Sequence, residues 1–165
     1  AYGALMNVDA GAGNDLIRVG SNLDGIGGDV NLGQGNDTVI VDGYIAGNKN
    51  FDFGTDDDTL IVNGKGRTDG ISIFGNTKIN MGAGNDTVML AGDIGSDRVH
   101  FNVSVDGGDG NDTLFFTTSD VHTNLKRLLN FETIDLSGTG NNRLDVSIDK
   151  VKLNGNTAID IDGIS

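Results

Sequence analysis

The chain contains no cysteine, no proline and no tryptophan, and its only glutamate is Glu132. Bases are scarce too, 11 against 24 acids, for a net charge of −13. Each scarcity removes a class of protein. Without cysteine there is no disulfide framework and no thiolate metal site. Phosphate recognition needs basic surface, so a nucleic-acid groove is excluded. No apolar run approaches the roughly 20 residues that span a bilayer, and none resembles a signal-peptide core. The chain is expected to be a soluble piece of a longer protein.

What fills the 165 residues instead is glycine (27), aspartate (23) and asparagine (19). These residues form helices poorly and turns well, which argues against a helix bundle. Apolar residues make up 36% of the chain at regular spacing, more than a disordered chain carries. The acidity is uneven. Residues 1 to 120 hold 18 aspartates against six bases, whereas residues 121 to 165 hold six acids against five bases.

One phrase recurs. It reads Gly11-Ala12-Gly13-Asn14-Asp15, Gly33-Gln34-Gly35-Asn36-Asp37, Gly54-Thr55-Asp56-Asp57-Asp58, Gly82-Ala83-Gly84-Asn85-Asp86 and Gly108-Asp109-Gly110-Asn111-Asp112. The closing aspartates are 22, 21, 28 and 26 residues apart, a spacing that belongs to a stacked array. Aligned on that aspartate, Ile17, Val39, Leu60, Val88 and Leu114 stand two residues on, and Val19, Val41, Val62, Leu90 and Phe116 four on. This is a strand alternating with period two, one face inward. Thr38, Thr59, Thr87 and Thr113 form an outward column just after the aspartate. Val8, Val30, Phe51, Ile79 and Val105 stand seven before it, and Asp9, Asn31, Asp52, Asn80 and Asp106 six before. A strand therefore enters each glycine-rich turn and another leaves it. Third strands are expected at Tyr44-Ile45-Ala46, Ile71-Ser72-Ile73-Phe74 and Val99-His100-Phe101.

The fold implied is all-β, a right-handed parallel solenoid, with repeats over residues 1–118. Residues 119–165 are expected to add a short capping helix over Ser119 to Asn130 and degraded coils of the same domain. A sixth copy is read in Gly138-Thr139-Gly140-Asn141-Asn142, with Asn142 at the marker position, and a seventh trace in Asn154-Gly155-Asn156. One column resists the pattern. Three residues after the aspartate, where the outer face should be polar, stand Arg18, Ile40, Ile61, Met89 and Phe115. Either the coil is flattened and buries them, which is the favoured expectation, or a neighbouring domain covers the stripe.

Why would one turn need glycine, glycine, asparagine and aspartate in that order? Glycine permits positive φ and lets carbonyl oxygens turn toward a common point, to which the aspartate adds a carboxylate. Clustered oxygens without nitrogen or sulfur suit a hard cation, and calcium accepts 6 to 8 of them at irregular angles. One turn has too few oxygens, but an ion between consecutive turns draws on both, so five turns would hold about four ions. Ordinary tight turns use the same residues. Five in register, however, would stack carboxylates about 4.8 Å apart, where unneutralised charges repel by roughly 1 kcal/mol per pair even in water.

These turns resemble the repeats of secreted RTX, or haemolysin-type calcium-binding, proteins. The match covers residues 7 to 116 well and 131 to 146 weakly. Carried over by position, the resemblance implies carboxylate ligands at Asp15, Asp37, Asp58, Asp86 and Asp112. It implies carbonyl ligands at Gly11, Gly13, Gly33, Gly35, Gly54, Gly82, Gly84, Gly108 and Gly110, with Asp56 standing where the third copy lacks its glycine. Two features depart from the family. Its first glycine survives only as Gly107, the other copies having Ala10, Leu32, Phe53 and Met81. The chain also carries one motif per long coil, where the compact family roll has one on each edge. The ions should therefore occupy one edge, and the opposite turns with Asp24, Asp69 and Asp97 stay open. The stretch from Asn130 to Asn142 is similar to a segment near the end of very large RTX adhesins. That implies a bacterial surface or biofilm protein, extracellular or held at the cell surface, exported by type I secretion.

The function expected is that of a non-enzymatic, calcium-stabilised module of an adhesin, a rigid spacer or cap whose partners are calcium and neighbouring domains of the same chain. A calcium-dependent module that binds a surface glycan or substratum is the alternative, using the threonine ladder. A β-helical polysaccharide lyase or hydrolase is a third, with Asp56-Asp57-Asp58 as acid and base and Lys65 and Arg67 nearby. A flat ice-binding row is absent, because the residue between the glycines varies: Ala12, Gln34, Thr55, Ala83, Asp109.

Overall fold

The structure, a computed structural model, describes residues 7–24, 28–64, 70–95, 102–118, 121–137, 143–145 and 160–162. The alternating columns become strands, and the strands stack in parallel, coil upon coil, into a solenoid with three walls. The first wall runs β1 (Val8–Asp9), β3 (Asp29–Asn31), β5 (Asn48–Asp52), β8 (Asn76–Asn80), β11 (Ser104–Asp106) and β14 (Leu128–Leu129). The second runs β2 (Leu16–Val19), β4 (Thr38–Val41), β6 (Thr59–Val62), β9 (Thr87–Leu90), β12 (Thr113–Phe116), β15 (Thr133–Asp135) and β17 (Asp160–Asp162). The third is slighter. Isolated parallel bridges join Leu23 to Ile45 and Ile45 to Ile73, after which β7 (Ile71–Ile73) pairs with β10 (Asp93–Ile94). Beyond them, β13 (His122–Asn124) pairs with β16 (Arg143–Asp145).

Register follows the sequence columns residue for residue. Ile17, Val39, Leu60, Val88, Leu114 and Ile134 lie side by side across the second wall. Phe51, Ile79, Val105 and Leu128 do the same across the first. Together with Ile45, Ile73 and Ile94 from the third wall they form one continuous core. Each such side chain contributes about 1.5–3 kcal/mol on burial, and none could be buried by a single coil alone. The residues that break the resemblance to the RTX repeat join this core. Leu32, Phe53 and Met81, standing where the first glycine is expected, are all fully buried, so they fill the inside of the turn.

The second half of the chain differs from expectation in three places. First, the described residues form no α-helix over Ser119 to Asn130, where a short capping helix was expected. Residues 119 and 120 lie outside the described residues, and the remainder forms β13, a single 3-10 turn η1 (Leu125–Arg127) and β14. Apolar spacing alone suited a helix, but Leu128 stacks beside Val105 and completes the first wall, a gain that outweighs local propensity. Second, the sixth coil comes earlier than Asn142, which itself lies outside the described residues, as does the Asn154-Gly155-Asn156 trace. Thr133 pairs with Thr113, so Glu132 stands in register with Asp112 and the sixth coil is already under way. Its turn is three residues shorter than that of the fifth coil, and Asn130 makes the corner with φ of 52°. Third, the strand expected at Val99 to Phe101 lies outside the described residues, and the third wall of that coil is held by β10.

The apolar column points outward. Along β4, β6, β9 and β12 every second residue is buried, while Ile40, Ile61, Met89 and Phe115 alternate with them and are only half-buried. The column is thus partly covered and lies outside the core.

Candidate metal centre

The turn between the first and second walls is itself a ladder. The residue between the two glycines bridges from coil to coil through Ala12, Gln34, Thr55, Ala83 and Asp109. Amides of Gln34, Thr55, Ala83 and Asp109 donate to carbonyls of Gly11, Gly33, Gly54 and Gly82 at 2.8–3.1 Å. This close stacking explains the glycines before any ligand is invoked. A Cβ on Gly33, at φ +104°, would lie 1.9 Å from the Gly11 carbonyl oxygen, and one on Gly35 would lie 2.5 Å from that of Gly13. Gly84, Gly108 and Gly110 are hemmed in alike by Asp56, Gly82 and Gly84.

Asparagine and aspartate then cap the turn in opposite directions. Asn14, Asn36, Asp57 and Asn85 each use Oδ1 to accept the amide one coil further on, from Asn36, Asp57, Asn85 and Asn111. The next residue reaches backward. Oδ1 of Asp37, Asp58, Asp86 and Asp112 accepts the amides of Asp15, Asp37, Asp58 and Asp86 at 2.7–2.8 Å. Glu132 ends the series by accepting the Asp112 amide at 2.7 Å through Oε2. It was missed as a site residue because no glycine phrase precedes it. The signal available was that the chain's lone glutamate precedes Thr133, as each phrase-closing aspartate from Asp37 to Asp112 precedes a threonine. One more methylene in the side chain suits the shortened turn.

The second carboxylate oxygen has no such partner. Oδ2 of Asp15, Asp37, Asp58, Asp86 and Asp112 is buried, and no donor reaches it. Of these residues, the last four are at most 1% exposed. Desolvation pushes the Asp58 carboxyl up to about 7 and Asp86 to about 6, with the neighbouring carboxylates Asp86 and Asp37, or Asp112 and Asp57, adding to the rise against the amide bond that lowers it. Asp112 is raised for the same first reason, with Glu132 the leading charge beside it.

The exposed column on the first wall is the internal contrast. There Asp9, Asn31, Asp52, Asn80 and Asp106 alternate acid with amide, and Asn31, Asn80 and Asn130 donate side-chain amides to Asp9, Asp52 and Asp106. In this column exposed charges are thus kept two coils apart, while in the other an aspartate stands on each of the first five coils. Backbone capping needs one acceptor, and the asparagine column shows that an uncharged amide supplies it. The charge in the aspartate column therefore answers a different demand.

In the third copy each aspartate has its own partners. Asp56 accepts the Gly35 amide and the Thr55 hydroxyl, Asp57 accepts from Asn85, and Asp58 faces inward. Lys65 and Arg67 lie outside the described residues, as do Asp69 and Asp97, while Asp24 accepts the Tyr44 hydroxyl at 3.1 Å. Among the described residues no three carboxylates or imidazoles converge on one point. A cation here would be shared by carboxylates of two coils and completed by backbone oxygens. No protein-family model, no curated protein and no solved structure matches the chain.

Proposed function

We propose that the edge carrying Asp15, Asp37, Asp58, Asp86, Asp112 and Glu132 binds a row of calcium ions, and that the chain is a calcium-stabilised structural module of a secreted surface protein. One observation carries this: a buried, unpartnered carboxylate oxygen recurs at the same place on each of the first five coils. Left bare, stacked charges at an effective dielectric of about 20 would oppose folding by roughly 3 kcal/mol per neighbouring pair. The whole stability of a typical domain is only about 5–15 kcal/mol. A divalent cation between coils offsets two such charges at once. The orphaned oxygens and turn carbonyls form an oxygen-only donor set that suits calcium, with its tolerance of irregular geometry, better than magnesium. Each carboxylate pair would hold one ion, giving four from Asp15 to Asp112 and a fifth with Glu132. The ions supply electrostatic neutralisation and no chemistry.

Because the sites are assembled only by stacking, binding free energy is folding free energy. The chain would stay open where calcium is scarce and wind up where it is plentiful, as the RTX resemblance implies for a secreted adhesin spacer. Circular dichroism and thermal melting in millimolar calcium and in chelator test this. The expected outcome is a strong β spectrum and a high melting temperature in calcium, and a weaker spectrum with a far lower melting temperature in chelator. Identical spectra and melting in the two conditions would sink the proposal.

A further inference from the structure

The outward face of the second wall stands apart from the rest of the surface. On coils 2 to 5 it presents Thr38 and Ile40, Thr59 and Ile61, Thr87 and Met89, Thr113 and Phe115, in direct register and without a charge. The outward face of the first wall, by contrast, carries Asp9, Asp29, Asp52, Lys78 and Asp106. In a chain of net charge −13, eight such uncharged positions side by side mark a surface built to be covered. Charges return toward its ends, with opposite signs: Arg18 beside Ile40 on coil 1, and Asp135 beside Phe115 on coil 6, followed by Asp160 and Asp162 of β17 in register with Thr133 and Asp135. The Arg18 side chain is 62% exposed even while it pairs with Asp42, and its neighbour Leu16 is 67% exposed.

We propose that this face docks against the same face of a second copy of the chain, with the two stacks running in opposite directions. A two-fold axis parallel to the strands, passing between coils 3 and 4, sets coil 1 against coil 6, 2 against 5 and 3 against 4. Arg18 of each copy then meets Asp135 of the other, Ile40 meets Phe115, and Ile61 meets Met89, every pair occurring twice. The alternative two-fold, along the stack, would oppose Arg18 to Arg18 and Asp135 to Asp135. Charge therefore selects both the occupant and its direction, since a face with opposite ends is complementary to itself. Sheets pack face to face at about 10 Å through such alternate side chains. The contact is small. Six strands about 4.8 Å apart, two outward rows deep, cover roughly 300 Å² per copy, against about 800 Å² in a stable complex. The pairing is accordingly weak, with a dissociation constant on the order of 100 µM.

Sedimentation velocity of the 165-residue chain in millimolar calcium, from micromolar to millimolar protein, tests this. The expected result is a sedimentation coefficient that rises with concentration toward that of a dimer. Arg18→Asp or Asp135→Arg should each weaken association about tenfold, two contacts changing sign per dimer, and the double charge swap should restore it to within about threefold. Ile61→Lys, at a half-buried outward position that leaves the core intact, should abolish it, with circular dichroism confirming the fold. A chain that stays monomeric throughout would overturn the proposal and leave the face to a different partner. Association that ignores Ile61→Lys, or a charge swap that restores nothing, would overturn it equally by moving the contact elsewhere.

Discussion

At the scale of single residues, the two neighbours asparagine and aspartate do the same hydrogen-bonding task and differ in one oxygen. That difference can be isolated. Asp86→Asn keeps an Oδ1 acceptor for the Asp58 amide while removing a buried charge. In chelator the variant should be more stable than the parent, and in calcium less stable, by about 1–2 kcal/mol each way. Thermal melts in the two conditions check this crossing of sign, and a variant that is weaker in both would tell against the cation. Proton linkage gives a second test. With Asp58 raised to about 7 and Asp86 to about 6, the folded state still holds protons that the unfolded chain, titrating near 3.8, has released. Native protons then exceed unfolded ones, so metal-free stability should fall as pH rises from about 4 to about 7. Urea unfolding in chelator at pH 5 and pH 8 reads this directly, and greater stability at pH 8 would contradict it. The five aspartates were legible in the sequence because the turn around them repeats. Glu132 was not, because its turn lost the glycines that announce the others.

At the scale of the element, the glycine turn divides into positions that need glycine for conformation and positions that need it for space. Gly11, on the first coil, has φ of +99° and open surroundings, whereas Gly33 has a similar φ of +104° and a carbonyl oxygen 1.9 Å from where a Cβ would stand. Gly11→Ala should therefore destabilise by about 1 kcal/mol and Gly33→Ala by about 3 kcal/mol or more. Chemical denaturation of both in calcium measures the gap, and equal losses would mean the stack relaxes more readily than its spacing suggests. Strands were legible for the same reason as the aspartates: period-two columns such as Val39, Leu60, Val88 and Leu114 recur at one offset. The segment from Val121 to Leu129 was not. Val121, Leu125 and Leu128 are spaced for one helix face, and only the presence of Val105 alongside makes Leu128 a strand residue.

At the scale of the molecule, the repeat sorts chemistry by wall. One edge holds buried carboxylates, one broad face is amide and acid in alternation, and one is threonine with aliphatic and aromatic side chains. Five divalent ions would take the net charge from −13 to about −3. Mobility toward the anode in native electrophoresis should accordingly drop in calcium beyond what compaction produces, and unchanged mobility would argue against stoichiometric loading. The chain by itself determined the period, the inward and outward columns and the oxygen-rich turn, because these rest on local geometry that repeats. Tertiary stacking alone decided where the sixth coil begins, which end of each carboxylate is satisfied and which is orphaned, and that the column of Ile40, Ile61, Met89 and Phe115 faces outward, half-buried. Those depend on which residue of one coil meets which residue of the next, and that neighbour is 20 to 28 residues away in sequence.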